Sequence, residues 1–188
     1  MTIHIVGFTG SIRKGSFNRA TLETARELLP SDVELEIISI GDLPLFNQDL
    51  ETNLPEPVVQ FREKIRNADG LLISSPEHNH SMPAALKNAL DWSSRPVNDP
   101  IMRGKPTAVM AGGANTGAVR AMEHVRQVLL HLEVNLVNKP EVLFFNIWNL
   151  VNEEGKITDP TTLQFMNTML QNLVALIRQT KADLALAH

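Results

Sequence analysis

Ser11, Arg13, Ser16 and Asn18 fall within eight residues of one another. Two hydroxyls, an amide and a guanidinium at that density are groups that can each bond a phosphate oxygen. They follow a short apolar run, Ile3 to Phe8, and lead into a helical segment that Pro30 ends. Backbone N–H groups and the positive end of a helix dipole therefore converge on the same loop, Gly10 to Asn18. The spacing argues against two common phosphate sites. Gly10 and Gly15 fit G-x-x-x-x-G-K-[ST], but Ser16 stands where the lysine belongs, and Gly7 and Gly10 do not fit G-x-G-x-x-G. A P-loop ATPase and a Rossmann-type NAD site are disfavoured, and a phosphate monoester, as in FMN, suits a single loop of this kind. The plainer alternative is a Ser/Gly turn in which Ser16 only caps the helix.

The second stretch runs from Leu71 to Arg95. An apolar strand stops at Ser74-Ser75-Pro76, and a polar loop, Glu77-His78-Asn79-His80, follows. Ser81 then reads as an N-cap with Pro83 in the first turn, and Met82, Ala85, Leu86, Ala89 and Leu90 repeat at helical spacing. In an open parallel sheet, ligands bind in loops beyond the carboxyl ends of the strands, so this loop is the leading candidate for the chemistry. His78-x-His80 invites a metal, but no acidic or histidine partner stands at supporting spacing. Glu77 reads as a general acid or base, or as a structural group that caps a backbone N–H or pairs with an arginine; the structural reading is preferred. Asp91 and Arg95 read equally as an intersubunit ion pair or a solvated face. Met82, Met122, Met166 and Met169 read as core. The irregular segment from Pro44 to Pro57, with Leu45, Phe46 and Asn47, is long enough to fold over a ligand.

The elements that must carry these loops alternate. Apolar runs suited to buried strands lie at Ile3–Phe8, Val33–Ile38, Leu71–Ile73, Thr107–Met110, and in two pieces at Val134–Val137 and Val142–Phe145. Helical stripes separate them: Val58, Phe61, Ile65 and Ala68; then Ala118, Met122, Val125, Leu129 and Leu132; and last Leu163, Met166, Leu170, Leu173 and Ile177 after Asp159 and Pro160. This alternation predicts an α/β fold, a flavodoxin-like three-layer α/β/α sandwich with a five-stranded parallel sheet in the order 2-1-3-4-5. The 188 residues are expected to form one domain, residues 1–188. A net charge of −4 offers no basic field to nucleic acid. No apolar run approaches a membrane span and the N-terminus lacks a signal-peptide pattern, so the cytoplasm is the expected compartment. Cysteine is absent, which excludes disulfides and thiol chemistry, and redox chemistry here would need a bound cofactor.

On these residues the chain resembles the NADPH-dependent FMN reductase family, flavodoxin-like flavoproteins that include quinone, chromate and azo reductases. Gly10-Ser11-x-Arg13-x-x-Ser16-x-Asn18 is similar to the family's FMN-phosphate loop. Pro76-Glu77-x-Asn79-x-Ser81-x-Pro83, with Leu86-Lys87-Asn88-Ala89-Leu90-Asp91-Trp92, resembles its isoalloxazine-side motif, and Gly112-Gly113 to Gly117 with Arg120 resembles its third, glycine-rich loop. Two positions depart from the pattern. His78 stands where tyrosine is usual, which bears on substrate preference, and Ala118 stands where a second glycine is usual, which would restrict close backbone approach to a flavin.

The resemblance implies an oxidoreductase that passes a hydride from NADPH or NADH through bound FMN to quinones, flavins or another small-molecule acceptor in ping-pong turnover, without a protein nucleophile. It implies cofactor contacts from Ser11, Arg13, Ser16, Phe17 and Asn18 around the phosphate. Pro76, Glu77, His78, Asn79, His80 and Ser81 would line the isoalloxazine, and Gly112, Gly113 and Asn115 would wall its other side. A homodimer or homotetramer is expected on the same ground. The alternative is an FMN-binding electron carrier with no NAD(P)H activity of its own. The mild net charge and scattered acids lack a carrier's acidic docking face and favour the enzyme.

Overall fold

Runs of aliphatic residues form the strands, and the punctuation between them is proline, glycine and capping side chains. In the computed structural model, which describes residues 2–186, the elements are β1 (Ile3–Thr9), α1 (Phe17–Leu28), β2 (Val33–Ile37), α2 (Glu56–Asn67), β3 (Gly70–Ser75), α3 (Ala84–Ser93), β4 (Pro106–Gly112), α4 (Val119–His131), β5 (Asn135–Leu136), β6 (Val142–Phe144) and α5 (Pro160–Leu186). The sheet is parallel throughout, in the order β2-β1-β3-β4-β5, with β6 also on β4. The expected order holds. The expected fifth strand is divided, with β5 pairing Pro106 and Thr107 at the start of β4 and β6 pairing Met110 to Gly112 at its end. Between the two lies Pro140, which has no N–H to give a ladder.

Every residue of β3 and β4 is buried, as strands covered on both faces must be. Successive side chains divide between two cores. Val6, Leu71, Ile73 and Val109 pack with Phe61 and Ile65 of α2, Leu86 and Leu90 of α3, and Met122, Val125 and Leu129 of α4. Ile5, Leu72, Ala108 and Met110 pack on the other side with Leu22 and Ala25 of α1 and Met166, Leu170, Leu173 and Ile177 of α5. The methionines at 122, 166 and 169 are core, as expected, whereas Met82 is only half-buried and packs at the core's edge. Gly70 opens β3 because a Cβ there would come within 3.1 Å of the Pro106 carbonyl oxygen and into Ile177 of α5. Asp159 starts α5 by accepting from the Thr162 N–H (2.7 Å) and hydroxyl (2.6 Å). No helix among the described residues is long and apolar enough to cross a membrane.

One buried charge was not anticipated. Arg62 of α2 reaches under the carboxyl end of α3 and donates to the carbonyls of Trp92 (3.1 Å) and Ser93 (3.4 Å) and to Asp99 (2.7 Å). It thereby adds a donor to carbonyls of the last helical turn, which lack the full set of intrahelical partners. Burial pushes its pKa down, and Asp99 opposes that shift. Asp99 also binds Arg66, and hydrogen bonding from that guanidinium and then from Arg62, against some desolvation, holds its carboxyl down at about 2.

Candidate functional site

Three loops meet beyond the carboxyl ends of β1, β3 and β4, the adjacent central strands. Behind them lies a buried polar knot. The Asn18 side chain donates to the Gly112 carbonyl (3.0 Å) and accepts from the Ser74 hydroxyl (3.0 Å), and Ser74 shares a hydrogen bond of 2.8 Å with Thr21. The Gly10 N–H donates to the Ser74 carbonyl at 3.0 Å. These groups tie α1 and the ends of β1, β3 and β4 into one unit. They also correct the expectation for Asn18: its amide is not held out toward a phosphate but turned inward, 3% exposed, to fix the loops. Ser74 and Thr21 went unnoticed in the sequence. The signal was available, since a hydroxyl in an otherwise aliphatic buried strand needs a partner.

In the first loop, Ser16 does cap α1, accepting the Arg19 N–H at 3.1 Å. Capping uses an oxygen lone pair and leaves the hydroxyl proton available to donate. The backbone N–H groups of Phe17 and Asn18 find no acceptor among the described residues, as expected in a first helical turn. Arg13 is exposed, with its guanidinium 5.1 Å above the Phe17 ring, and Ser11 is half-buried beside it. A pocket of about 290 Å³ with Ser11, Arg13, Lys14 and Arg19 in its walls opens here.

The second loop is a tight turn. His78 and Ser81 exchange both backbone hydrogen bonds (2.9 and 3.0 Å), with Asn79 (φ 49°) and His80 (φ 63°) left-handed between them. This is a two-residue reversal with both central residues at positive φ, where asparagine is tolerated well. His78, Asn79 and His80 are thereby exposed. Ser81 does not cap α3, contrary to expectation. The turn consumes its backbone groups, α3 begins at Ala84 after Pro83, and the Ser81 hydroxyl instead meets Nδ1 of His124 on α4 at 2.8 Å. No third group holds the other ring nitrogen among the described residues, so this pair lacks the arrangement of an activated nucleophile.

Glu77 resolves in favour of structure, by both routes foreseen. Its carboxylate accepts from the N–H groups of Arg120 (3.1 Å) and Ala121 (3.4 Å) and from the Arg120 guanidinium (3.3 Å), and its side chain is only 11% exposed. The residue at the N-cap of α4 is Ala118, which has no side chain that can cap. Glu77 supplies the cap from another loop.

The third loop, Gly113 to Ala118, is held by hydrogen bonds from Gly113 N–H to the Phe144 carbonyl (3.1 Å) and from Gly117 N–H to the Ala114 carbonyl (3.0 Å). Gly117 is left-handed (φ 60°), and a Cβ there would come within 3.2 Å of Leu143 and Phe145. Ala118 is left-handed too (φ 62°), which explains why glycine suits the position, yet its methyl points into the core at 0% exposure. The substitution costs backbone strain rather than access to the site. Gly112 is buried at the end of β4, where a Cβ would run into Ile147 and approach Phe144 and Asn18, so its role is packing. Gly113 is half-buried and Asn115 is exposed at the loop's tip.

Farther out, α3 carries the irregular segment on its back. Trp92, fully buried, donates to the Pro44 carbonyl (2.7 Å), and Asn88 accepts from the Phe46 N–H (2.7 Å) and donates to the Pro44 carbonyl (3.0 Å). The segment is thus strapped to the helix. Asp91 pairs with Lys87, and Arg95 faces Glu51 at 3.5 Å and lies over Phe46, so both find partners within the chain.

The assembled site offers oriented N–H donors, the exposed Arg13 guanidinium and a rigid backing. That arrangement suits a phosphate group at the first loop, and no side chain among the described residues of these loops is placed for covalent attack. The sequence matches the NADPH-dependent FMN reductase family over residues 3–149. It is 39% identical over 181 residues to an NAD(P)H-dependent FMN reductase of Pseudomonas aeruginosa, covering 95% of this chain and 97% of the relative. It is 36% identical over 184 residues to a 2-hydroxy-1,4-benzoquinone reductase of a Burkholderia species, covering 96% and 100%. Among solved structures it superimposes on FerB, a flavoenzyme NAD(P)H:(acceptor) oxidoreductase of Paracoccus denitrificans, with a TM-score of 0.85 at 30% identity, covering 95% of this chain and 99% of that one.

Proposed function

The chain belongs to the NADPH-dependent FMN reductase family, and from that premise we propose that it is an FMN-dependent oxidoreductase that takes reducing equivalents from NAD(P)H and delivers them to quinones or similar small acceptors. The net reaction is quinone + NAD(P)H + H⁺ → hydroquinone + NAD(P)⁺. FMN, when bound, supplies the chemistry that accepts a hydride from one substrate and returns it to the next.

The observation that carries this reading is the first loop. Its acceptor-less N–H groups at Phe17 and Asn18, the exposed Arg13 and the hydroxyls of Ser11 and Ser16 suit a phosphate dianion at a helix N-terminus. Asn18 contributes its backbone N–H, its side chain being committed behind the loop. Pro76 to Ser81 would present backbone groups and the exposed side chains of His78, Asn79 and His80 to the ring, while Glu77 holds that loop in place. Gly113 and Asn115 would stand on the other side. A homodimer or homotetramer, which the family resemblance implies, would cover apolar surface next to the third loop, where Phe145 is 53% and Trp148 49% exposed.

The test is an anaerobic visible spectrum of the purified protein, loaded with FMN and freed of excess flavin, before and after NADPH. A retained flavin that bleaches is the expected result. A retained flavin that stays oxidised with NADPH and NADH would instead establish an electron carrier. Arg13→Ala should weaken FMN binding ten- to a hundredfold, the loss of one charge-assisted hydrogen bond of about 1.5–3 kcal/mol. Unchanged affinity would remove the phosphate-loop assignment.

A further inference from the structure

A cleft of about 560 Å³ opens between the second loop, the start of α3 and the outer face of α4. Its volume falls in the range of small-molecule pockets. Met82, Ala84 and Val128 give it apolar surface. The remaining lining residues are His78, Asn79, Ser81, Lys87, His124 and Gln127, all able to donate a hydrogen bond, and no carboxylate is among them. Glu77, the nearest acid in the loop, is turned away and committed to α4. The Lys87 ammonium is held by Asp91 one turn farther along α3, in an exposed i,i+4 pair (49% and 34% exposed). Such pairs contribute little and re-form easily, so the ammonium can turn to a ligand. His124 spends Nδ1 on Ser81, which leaves its other ring nitrogen for the cleft.

Apolar surface with hydrogen-bond donors and the Lys87 ammonium around it suits a flat ring that bears an anionic oxygen. We infer that this cleft seats the anionic substituent of the electron acceptor, so that the enzyme selects quinones carrying an ionised hydroxyl, carboxylate or sulfonate over neutral quinones of the same ring. The inference rests on the proposed function, because the cleft is useful there only if the second loop lies against the flavin. His78 and His124 then act on selectivity, while the first loop acts on cofactor binding.

The test compares kcat/KM for naphthoquinone sulfonate and for menadione, using the FMN-loaded enzyme at low ionic strength. The expected result is a ratio above one in the parent that falls about tenfold in the Lys87→Gln/His124→Gln double variant, through KM for the sulfonate. Glutamine at 124 keeps an acceptor for the Ser81 hydroxyl, and Lys87→Arg, which keeps the charge, should retain the parent ratio. Added salt should lower the ratio in the parent and leave it flat in the double variant. A ratio that does not change in the double variant, or that falls equally in Lys87→Arg, overturns the inference while menadione turnover leaves the oxidoreductase reading standing. If the parent reduces neither quinone, the oxidoreductase reading fails and takes the inference with it.

Discussion

Replacing Glu77 with alanine tests whether the second loop caps α4 from outside the helix. Val119 opens α4, so Arg120 and Ala121 are its second and third residues, whose N–H groups an N-cap side chain ordinarily takes. Ala118 has nothing to offer them. Removing the carboxylate leaves both groups without a protein acceptor, a loss of about 1 kcal/mol for the cap. A negative charge at a helix N-terminus is worth about 0.5 kcal/mol more. The ion pair adds little, because the Arg120 side chain is 43% exposed. The total is about 1.5 kcal/mol, which at this chain length corresponds to a fall in Tm of roughly 3–6 °C. Urea denaturation of the flavin-free protein is the assay, since bound flavin would add its own linkage. Both N–H groups bond the same carboxylate oxygen, so Glu77→Gln keeps an acceptor for them, gives up the charge and should lose only about 0.5 kcal/mol. Glu123→Ala, at an exposed position on the same helix, should stay within about 0.5 kcal/mol of the parent. If Glu77→Ala behaves like Glu123→Ala, the cap contributes nothing and the reasoning fails.

Ala118→Gly removes left-handed strain of about 1 kcal/mol but also a buried methyl worth about 1 kcal/mol and adds chain entropy to the unfolded state of about 0.5 kcal/mol. The net is a slight destabilisation with unchanged FMN affinity, and tighter binding by tenfold in a flavin titration would show that the methyl faces the site after all. Asp99→Asn should cost about 1 kcal/mol at neutral pH, after allowance for the exposure of the carboxylate. Because the folded carboxyl titrates at about 2 against an ordinary 3.8, its stabilisation is complete above that ordinary value and fades as pH falls toward 2. The stability gap between parent and variant should therefore close over that acid range, and a gap constant with pH would refute the assignment.

The legible parts were those that local pattern determines. Aliphatic runs such as Leu71 to Ile73 admit only a buried strand when helices flank them, and Pro30, Pro83 and Asp159 mark helix ends by geometry that needs no distant partner. Even the interruption of the last strand was visible as two apolar pieces. What stayed hidden were the partners that the fold brings together. Ser81 carried a good local capping signal, but the reversal at Asn79 and His80 spent its backbone, and its hydroxyl found His124. Asn18 looked like a ligand contact because its type and place in the loop suit a phosphate. Its actual acceptor, the Gly112 carbonyl, lies far along the chain on another strand. Trp92 gave no sign that the segment around Pro44 would cover it. Arg62 is one arginine among many until the carboxyl end of α3 arrives above it.

These hidden contacts share a purpose that bears on the site. A loop that must offer unpaired donors to a ligand cannot spend them on its own stability, so it has to be fixed by other groups. Here the fixing is done from behind and from the side. Asn18, Ser74 and Thr21 hold the strand ends with inward side chains, Glu77 ties the second loop to α4, and the Phe144 carbonyl anchors Gly113. The outward groups at Arg13, Asn79, His80 and Asn115 make no part of that scaffold. Under the proposed function, substitutions at the outward positions should alter what is bound, and substitutions at Asn18, Ser74 or Glu77 should alter whether the loops stand in register to bind it. His78 belongs to both sets, since its backbone closes the turn with Ser81 while its imidazole faces the cleft. Every side chain except proline leaves that backbone in place, which is the physical reason the turn accepts histidine where the family resemblance leads one to expect tyrosine.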